Sequence, residues 1–233
     1  MDTHQQLHAR GHPSDVDRLR SRARRRFRTF YPGGFDDPDY LELERGYKQR
    51  AHELWSAALP EQEFARLLGD GDHGGVARRA VGIESRTNLL FSFEKMALRD
   101  AVKEKRGARV FSEGLYALLH GEGSPDDRFA GWIDAVARLP RRQTRVLTWP
   151  VLTVFPFIAD PKRHIYLKPT TTKAAAARWG FPFAYASKPS VPVYRSLLAF
   201  GKDVRAEHGI AGKPRDQIDV QGFLWVLGST EYD

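Results

Sequence analysis

Three stretches of this sequence gather side chains able to do chemistry. Ile83-Glu84-Ser85-Arg86-Thr87-Asn88 sets polar groups at the start of an amphipathic run. Leu139-Pro140-Arg141-Arg142-Gln143-Thr144-Arg145 puts three cations into the five residues Arg141–Arg145, a clustering that is costly unless an anion is held there. Ile165-Tyr166-Leu167-Lys168-Pro169-Thr170-Thr171-Thr172-Lys173 brings Lys168 to the mouth of a helix that Pro169 opens. A lysine amine becomes a nucleophile when burial lowers its pKa. Carboxylates can steady a cationic transition state and orient water. Asp219, Asp216, Asp160 and Glu94 are candidates, with Asp219 ranked first. Asp216 and Asp219 serve equally well as helix caps. Gly69-Asp70-Gly71-Asp72-His73-Gly74-Gly75 reads as a flexible loop; its two Asp and one His are too thin a motif to assign a metal, and no cofactor is indicated.

These side chains need helices to hold them. Ser14 caps a segment from Asp15 to Phe30 that carries seven Arg between Arg18 and Arg28. Pro38 to Leu59 and Glu61–Leu68 read as helices, and Val76–Ile83 as another. Asn88–Lys105 is amphipathic, with Leu89, Leu90, Phe93, Met96, Ala97, Asp100 and Ala101 along one side. Phe111–His120 follows, and Ser124-Pro125-Asp126-Asp127 starts a helix that runs to Arg138. Thr144–Ile158 is apolar, with Pro150 and Pro156 inside, and reads as a buried, kinked helix. His164–Leu167 is a short extended piece. The helix from Pro169 ends at Trp179-Gly180; Tyr194–Glu207 and Val220–Leu227 close the chain. The expectation is a mostly α, two-lobed helical domain with at most a minor sheet. A flexible Arg-rich arm, 1–30, precedes a single domain, 31–233, whose lobes are about 31–80 plus 182–233, and 81–181.

Composition narrows the partners. The chain of 233 residues has a net charge of +8, and residues 1–30 carry +5 of it. Polyanions such as nucleic acid are favoured partners. The absence of cysteine excludes disulfide frameworks, thiolate zinc sites and thiol nucleophiles, and permits a reducing cytoplasm. The apolar run Val146–Ala159 is shorter than a membrane span needs, and Met1–Arg10 is too polar for a secretory signal.

The order of the three stretches resembles the helix-hairpin-helix DNA glycosylases over roughly residues 80–181. In that family a polar helix start of the Ser-Gln-Gln-Thr kind lines the base pocket. A Leu-Pro-Gly-x-Gly-x-Lys/Arg hairpin grips the DNA backbone, and a Val-Asp-Thr-His segment supplies a catalytic Asp. The resemblance implies that Arg141, Arg142, Gln143, Thr144 and Arg145, with Thr170 and Lys173, hold the backbone of double-stranded DNA. It implies a pocket for a flipped base lined by Arg86, Asn88, Trp149, Gln221 and Phe223, with Phe91 and Phe155 as further walls. Three positions differ from the family pattern: Arg141 and Gln143 replace the hairpin glycines, and Lys168 stands where the Asp would be.

The implied activity is hydrolysis of the N-glycosidic bond of a damaged or modified base. Catalysis would fall to Lys168 as an amine attacking C1′ of the sugar, or to a carboxylate, Asp219 or Glu94. The altered positions point to an unusual base, such as one carried by phage DNA. The alternatives are a non-enzymatic nucleic-acid-binding module, a metal-dependent nuclease resting on Glu94-Lys95 and Asp72-His73, and a protein adaptor docked through the Arg-rich arm.

Overall fold

Local capping chemistry sets most helix starts. Ser14 Oγ accepts the Asp17 N–H at 3.1 Å while the Asp17 carboxylate accepts the Ser14 N–H at 3.0 Å, which opens α1 (Asp15–Phe30). Ser124 does the same work for α8 (Pro125–Ala137), Thr148 for α9 (Trp149–Ala159) and Asp216 for α12 (Gln217–Gly228). Between them run α2 (Pro38–Tyr40), α3 (Gly46–Ala58), α4 (Glu61–Gly69), α5 (His73–Glu84), α6 (Ser92–Lys103), α7 (Lys105–His120), α10 (Pro169–Trp179) and α11 (Val191–Ala206). A π-helical segment, Leu41–Arg45, joins α2 to α3. The computed structural model describes residues 14–141, 145–207 and 212–233. Among these residues the protein is all-α, with no strand. The expected extended piece before Lys168 has no ladder partner, so the minor sheet is not found among them.

The helices pack in two groups. In one, α3 and α5 lie on α9, and α7 packs on α5, α6 and α8; Trp55, Phe111, Trp132 and Phe155 fill the space between them. In the other, α10 runs along α12, with α1 and α11 against them, around Phe27, Trp179 and Phe223. Chain order set residues 31–80 with the end of the chain and α10 with the middle. Residues 31–45 do pack on the end, through Tyr31 on Tyr232 and through Tyr40 and Arg45 on Asp219, while α3, α4 and α5 pack with α7 and α9, and α10 packs on α12.

The Arg-rich segment is no loose arm over its described part. Ala23 and Phe27 are buried, and three of its arginines are tied inward. Arg20 donates to both Asp203 oxygens at 2.8 and 3.0 Å, Arg24 to Glu207, and Arg26 to the carbonyls of Val226 and Tyr232. Repulsion along the arginine run is thus met by Asp203 on α11, by Glu207 just after it, and by carbonyls at the end of α12 and in the turn that follows. Arg22, Arg25 and Arg28 stay exposed.

Two other expectations change. The Gly-rich loop after α4 is short: Asp72 accepts the Gly75 N–H at 2.8 Å and starts α5 within it. The apolar stripe of α6 is rotated, because Glu94, Leu98, Ala101 and Val102 face inward while Phe93 and Met96 are exposed. Pro156 inside α9 has no N–H for the Leu152 carbonyl, and the buried Trp132 Nε1 donates to that carbonyl at 2.9 Å instead. No helix among the described residues is long and apolar enough to cross a membrane.

Candidate functional site

Lys168 is held by its neighbours on both sides. The Leu167 N–H donates to Thr153 Oγ1 at 3.0 Å, and the Tyr166 hydroxyl donates to the Leu89 carbonyl at 2.5 Å. The extended segment is thereby fixed to α9 and to the turn before α6. The Lys168 carbonyl accepts the Thr172 N–H, which begins α10. The end of α12 lies directly on this turn: a Cβ at Gly228 would stand 2.0 Å from the Thr171 carbonyl oxygen, so only glycine fits.

The ammonium of Lys168 sits between two rings. Its Nζ is 4.1 Å from the Phe91 ring centroid and 4.9 Å from that of Trp225. Among the described residues no carboxylate lies within salt-bridge distance of it. Burial pushes its pKa down, against the pull of Glu94 and Glu231.

Two cavities meet at this point and share Phe91, Lys168, Trp225 and Glu231 as walls. One, of about 570 Å³, is further lined by Leu43, Glu44, Tyr47, Asn88, Tyr166, Gln221 and Tyr232; it is called the Gln221 cavity. The other, of about 540 Å³, is further lined by Phe93, Glu94, Arg145, Thr148, Trp149, Thr170 and Tyr185; it is called the Thr170 cavity. Both are large enough for a nucleobase and its sugar.

The polar groups divide into satisfied and free. Glu44 accepts from the Tyr232 hydroxyl at 2.7 Å and from the buried Lys48 ammonium at 3.1 Å. Glu94 is buried; its Oε2 accepts the Phe91 N–H at 3.1 Å and its Oε1 the Thr148 hydroxyl at 3.0 Å. Burial raises the Glu94 pKa, while these hydrogen bonds and the Lys168 charge oppose the rise. Gln221 is only 6% exposed, and its Oε1 is buried without a hydrogen-bond partner. An unpaired buried amide oxygen is costly, and Gln217 Oε1, on the same helix, is in the same state.

The sequence-derived candidates sort cleanly against this geometry. Lys168, Glu94, Asn88, Gln221, Trp149, Phe91, Arg145 and Thr170 line one cavity or both. Lys173 lies next to them, with its Nζ 4.9 Å from the centroid of Tyr185. Arg86 and Arg141 are exposed and line neither cavity. Arg142, Gln143 and Thr144 lie outside the described residues. Phe155 and Phe223 are fully buried in the core rather than in a pocket wall.

Asp219 does not reach the cleft. It is fully buried, with Arg45 Nη1 at 2.9 Å, Arg215 Nε at 2.8 Å and the Tyr40 hydroxyl donating at 2.9 Å. Every feature of that setting is structural, so the first-ranked acid is a tie between α12 and the π segment. Asp216 is likewise the α12 cap and a partner of Arg45, and Asp160 is bound to Arg163. In the Gly-rich loop, Asp72 is a cap, and no group of three potential metal ligands occurs among the described residues.

Trp225, Tyr47, Glu44, Glu231, Phe93 and Tyr185 also line the cavities, and none of them is a site candidate by sequence. Trp225 was within reach: it lies four residues after Gln221 on α12, and Gly228 three further, so all three share one helix face, whereas Phe223 points elsewhere. Glu44 had no such signal, because its direction depends on the π segment. Set against known families, curated proteins and solved structures, the chain matches none of them.

Proposed function

We propose that this protein excises a base from DNA, with Lys168 as the attacking amine. The observation that carries the reading is the Lys168 ammonium: it stands where two cavities join, between Phe91 and Trp225, with no salt-bridge partner among the described residues. In this reading the helices on either side act as the two lobes of a glycosylase, and the cleft lies where they meet. The base, turned out of its stack, occupies the Gln221 cavity between aromatic walls, and Asn88 and Gln221 read its edge. The sugar and backbone lie toward Arg145, Thr170 and Lys173. An unusual base, such as one from phage DNA, fits the departure of Lys168 from the usual acid.

The chemistry balances on the groups present. Neutral Lys168 Nζ forms a bond to C1′, and the C1′–N bond breaks. The base leaves with the bonding pair and takes a proton released from the new ammonium. The nitrogen lone pair then opens the C1′–O4′ bond, O4′ takes a proton from water, and an iminium joins Lys168 to C1′. Water hydrolyses it to an abasic site and regenerates the amine. Glu94 supplies negative charge near the developing cation.

The test is incubation with oligonucleotides that carry a broad set of modified bases, followed by alkali, with parallel trapping by borohydride. The expected result is an abasic product for at least one base and a reduced covalent adduct at Lys168. Intact strands across the set would end this reading. Abasic product without any adduct would shift catalysis from Lys168 to Glu94 and water.

A further inference from the structure

The walls of the Thr170 cavity alternate rings with cations, and several of the rings are open to solvent. Phe91 and Phe93 are 50% and 51% exposed, nearly parallel at 14°, with centroids 5.6 Å apart. Soluble proteins rarely leave such rings together at the edge of a cavity without a partner. Lys168 sits over Phe91, Lys173 over Tyr185, and Arg145 lines the same cavity. Three cations, Lys168, Lys173 and Arg145, stand at this wall against two acids, Glu94, which accepts from the Phe91 N–H and Thr148, and Glu231, which accepts from Trp225 Nε1 at 3.2 Å, so the cations outnumber the acids.

We propose that the Thr170 cavity seats single-stranded nucleic acid, its bases stacked on Phe93, Phe91 and Tyr185 and its phosphates met by Arg145 and Lys173. Charge complementarity argues for this occupant. Flat, sequence-blind aromatic faces suit unpaired bases, and interleaved cations suit the backbone between them. A closed duplex keeps its bases stacked on one another and offers these rings nothing to cover. A second copy of this chain would cover the apolar rings but leave the cations opposed to like charges. The inference rests on reading the cleft as a nucleic-acid site, and it changes the substrate from intact duplex to an unpaired segment.

The experiment measures binding of the full chain to a labelled mixed-sequence DNA strand, the same sequence as RNA, and the DNA duplex, each at low and high salt. The single strand should bind about tenfold or more tightly than the duplex and weaken with salt. The RNA arm assigns the natural strand. Phe93→Ala and Tyr185→Ala should each cost about tenfold in strand affinity, and Phe93→Trp should keep it. Phe93 is exposed, so its variant should melt as the parent does, and a melt checks this. Duplex binding as tight as strand binding overturns the proposal. So does strand binding indifferent to Phe93→Ala, or a dimer in sedimentation that Phe93→Ala abolishes. Strand preference without base release keeps this inference and ends the excision reading; base release from duplex without strand preference does the reverse.

Discussion

Two charged centres lie at the two ends of one helix and could hardly differ more. Asp219, in the first turn of α12, is enclosed by Arg45, Arg215 and Tyr40, and its carboxylate oxygens accept from all three. Lys168, under the other end of α12, has two rings and two cavities around it and no carboxylate in contact among the described residues. A buried charge whose partners are complete is bound into the fold. A half-buried charge left with rings and empty space has its interactions still to make. The two centres therefore differ in the completeness of their partners rather than in residue type.

The largest expected effect comes from breaking the complete centre. Asp219→Ala leaves the buried Tyr40 hydroxyl without an acceptor and Arg45 with Asp216 as its one remaining acid, so the loss should be about 3 kcal/mol. Denaturant unfolding should show that loss. A change below about 1 kcal/mol would mean that the network is no more than a surface pair.

The incomplete centre should respond the other way. Lys168→Met keeps the apolar stem between Phe91 and Trp225 and removes the charge. Stability should stay within about 0.5 kcal/mol of the parent, while base release falls by about a hundredfold or more. Equal activity in the variant would show that the amine takes no part.

The sequence made much of this legible, for reasons that differ by element. Ser14, Ser124 and Asp216 act through bonds two or three residues away, so their helices could be read locally. Lys168 was legible because Pro169 and Gly180 bracket its helix. Asp219 misled because its partners Arg45 and Tyr40 lie 174 and 179 residues away along the chain, beyond any local pattern. The arginines of α1 misled in the same way, since Asp203 and Glu207 are distant in sequence. Phe93 was counted with the core because helical spacing gives an apolar face but not its rotation. The buried Glu94, held by the Phe91 N–H and by Thr148, turns that face outward.

Glu94 gives the smallest and sharpest probe, because it stands between the two kinds of centre: its oxygens are hydrogen-bonded, yet it lines a cavity and faces Lys168 electrostatically. The Lys168 pKa lies below its ordinary value, so the neutral amine appears as pH rises through that lowered pKa, and base release should rise with it. Glu94 holds that pKa up. Glu94→Gln removes the negative charge, so the rising limb of the rate profile should move to lower pH, by about one unit or less. Stability should move too. Burial raises the Glu94 pKa above the unfolded value, so the stability it contributes is complete at low pH and is lost as pH rises through the folded pKa. The Gln variant lacks that loss, and its stability should fall less between acid and neutral pH than that of the parent. Measuring both profiles separates the roles: a shifted limb with an unchanged plateau makes Glu94 a positioning charge for Lys168, whereas a lower plateau with an unshifted limb makes it the group that steadies the sugar cation.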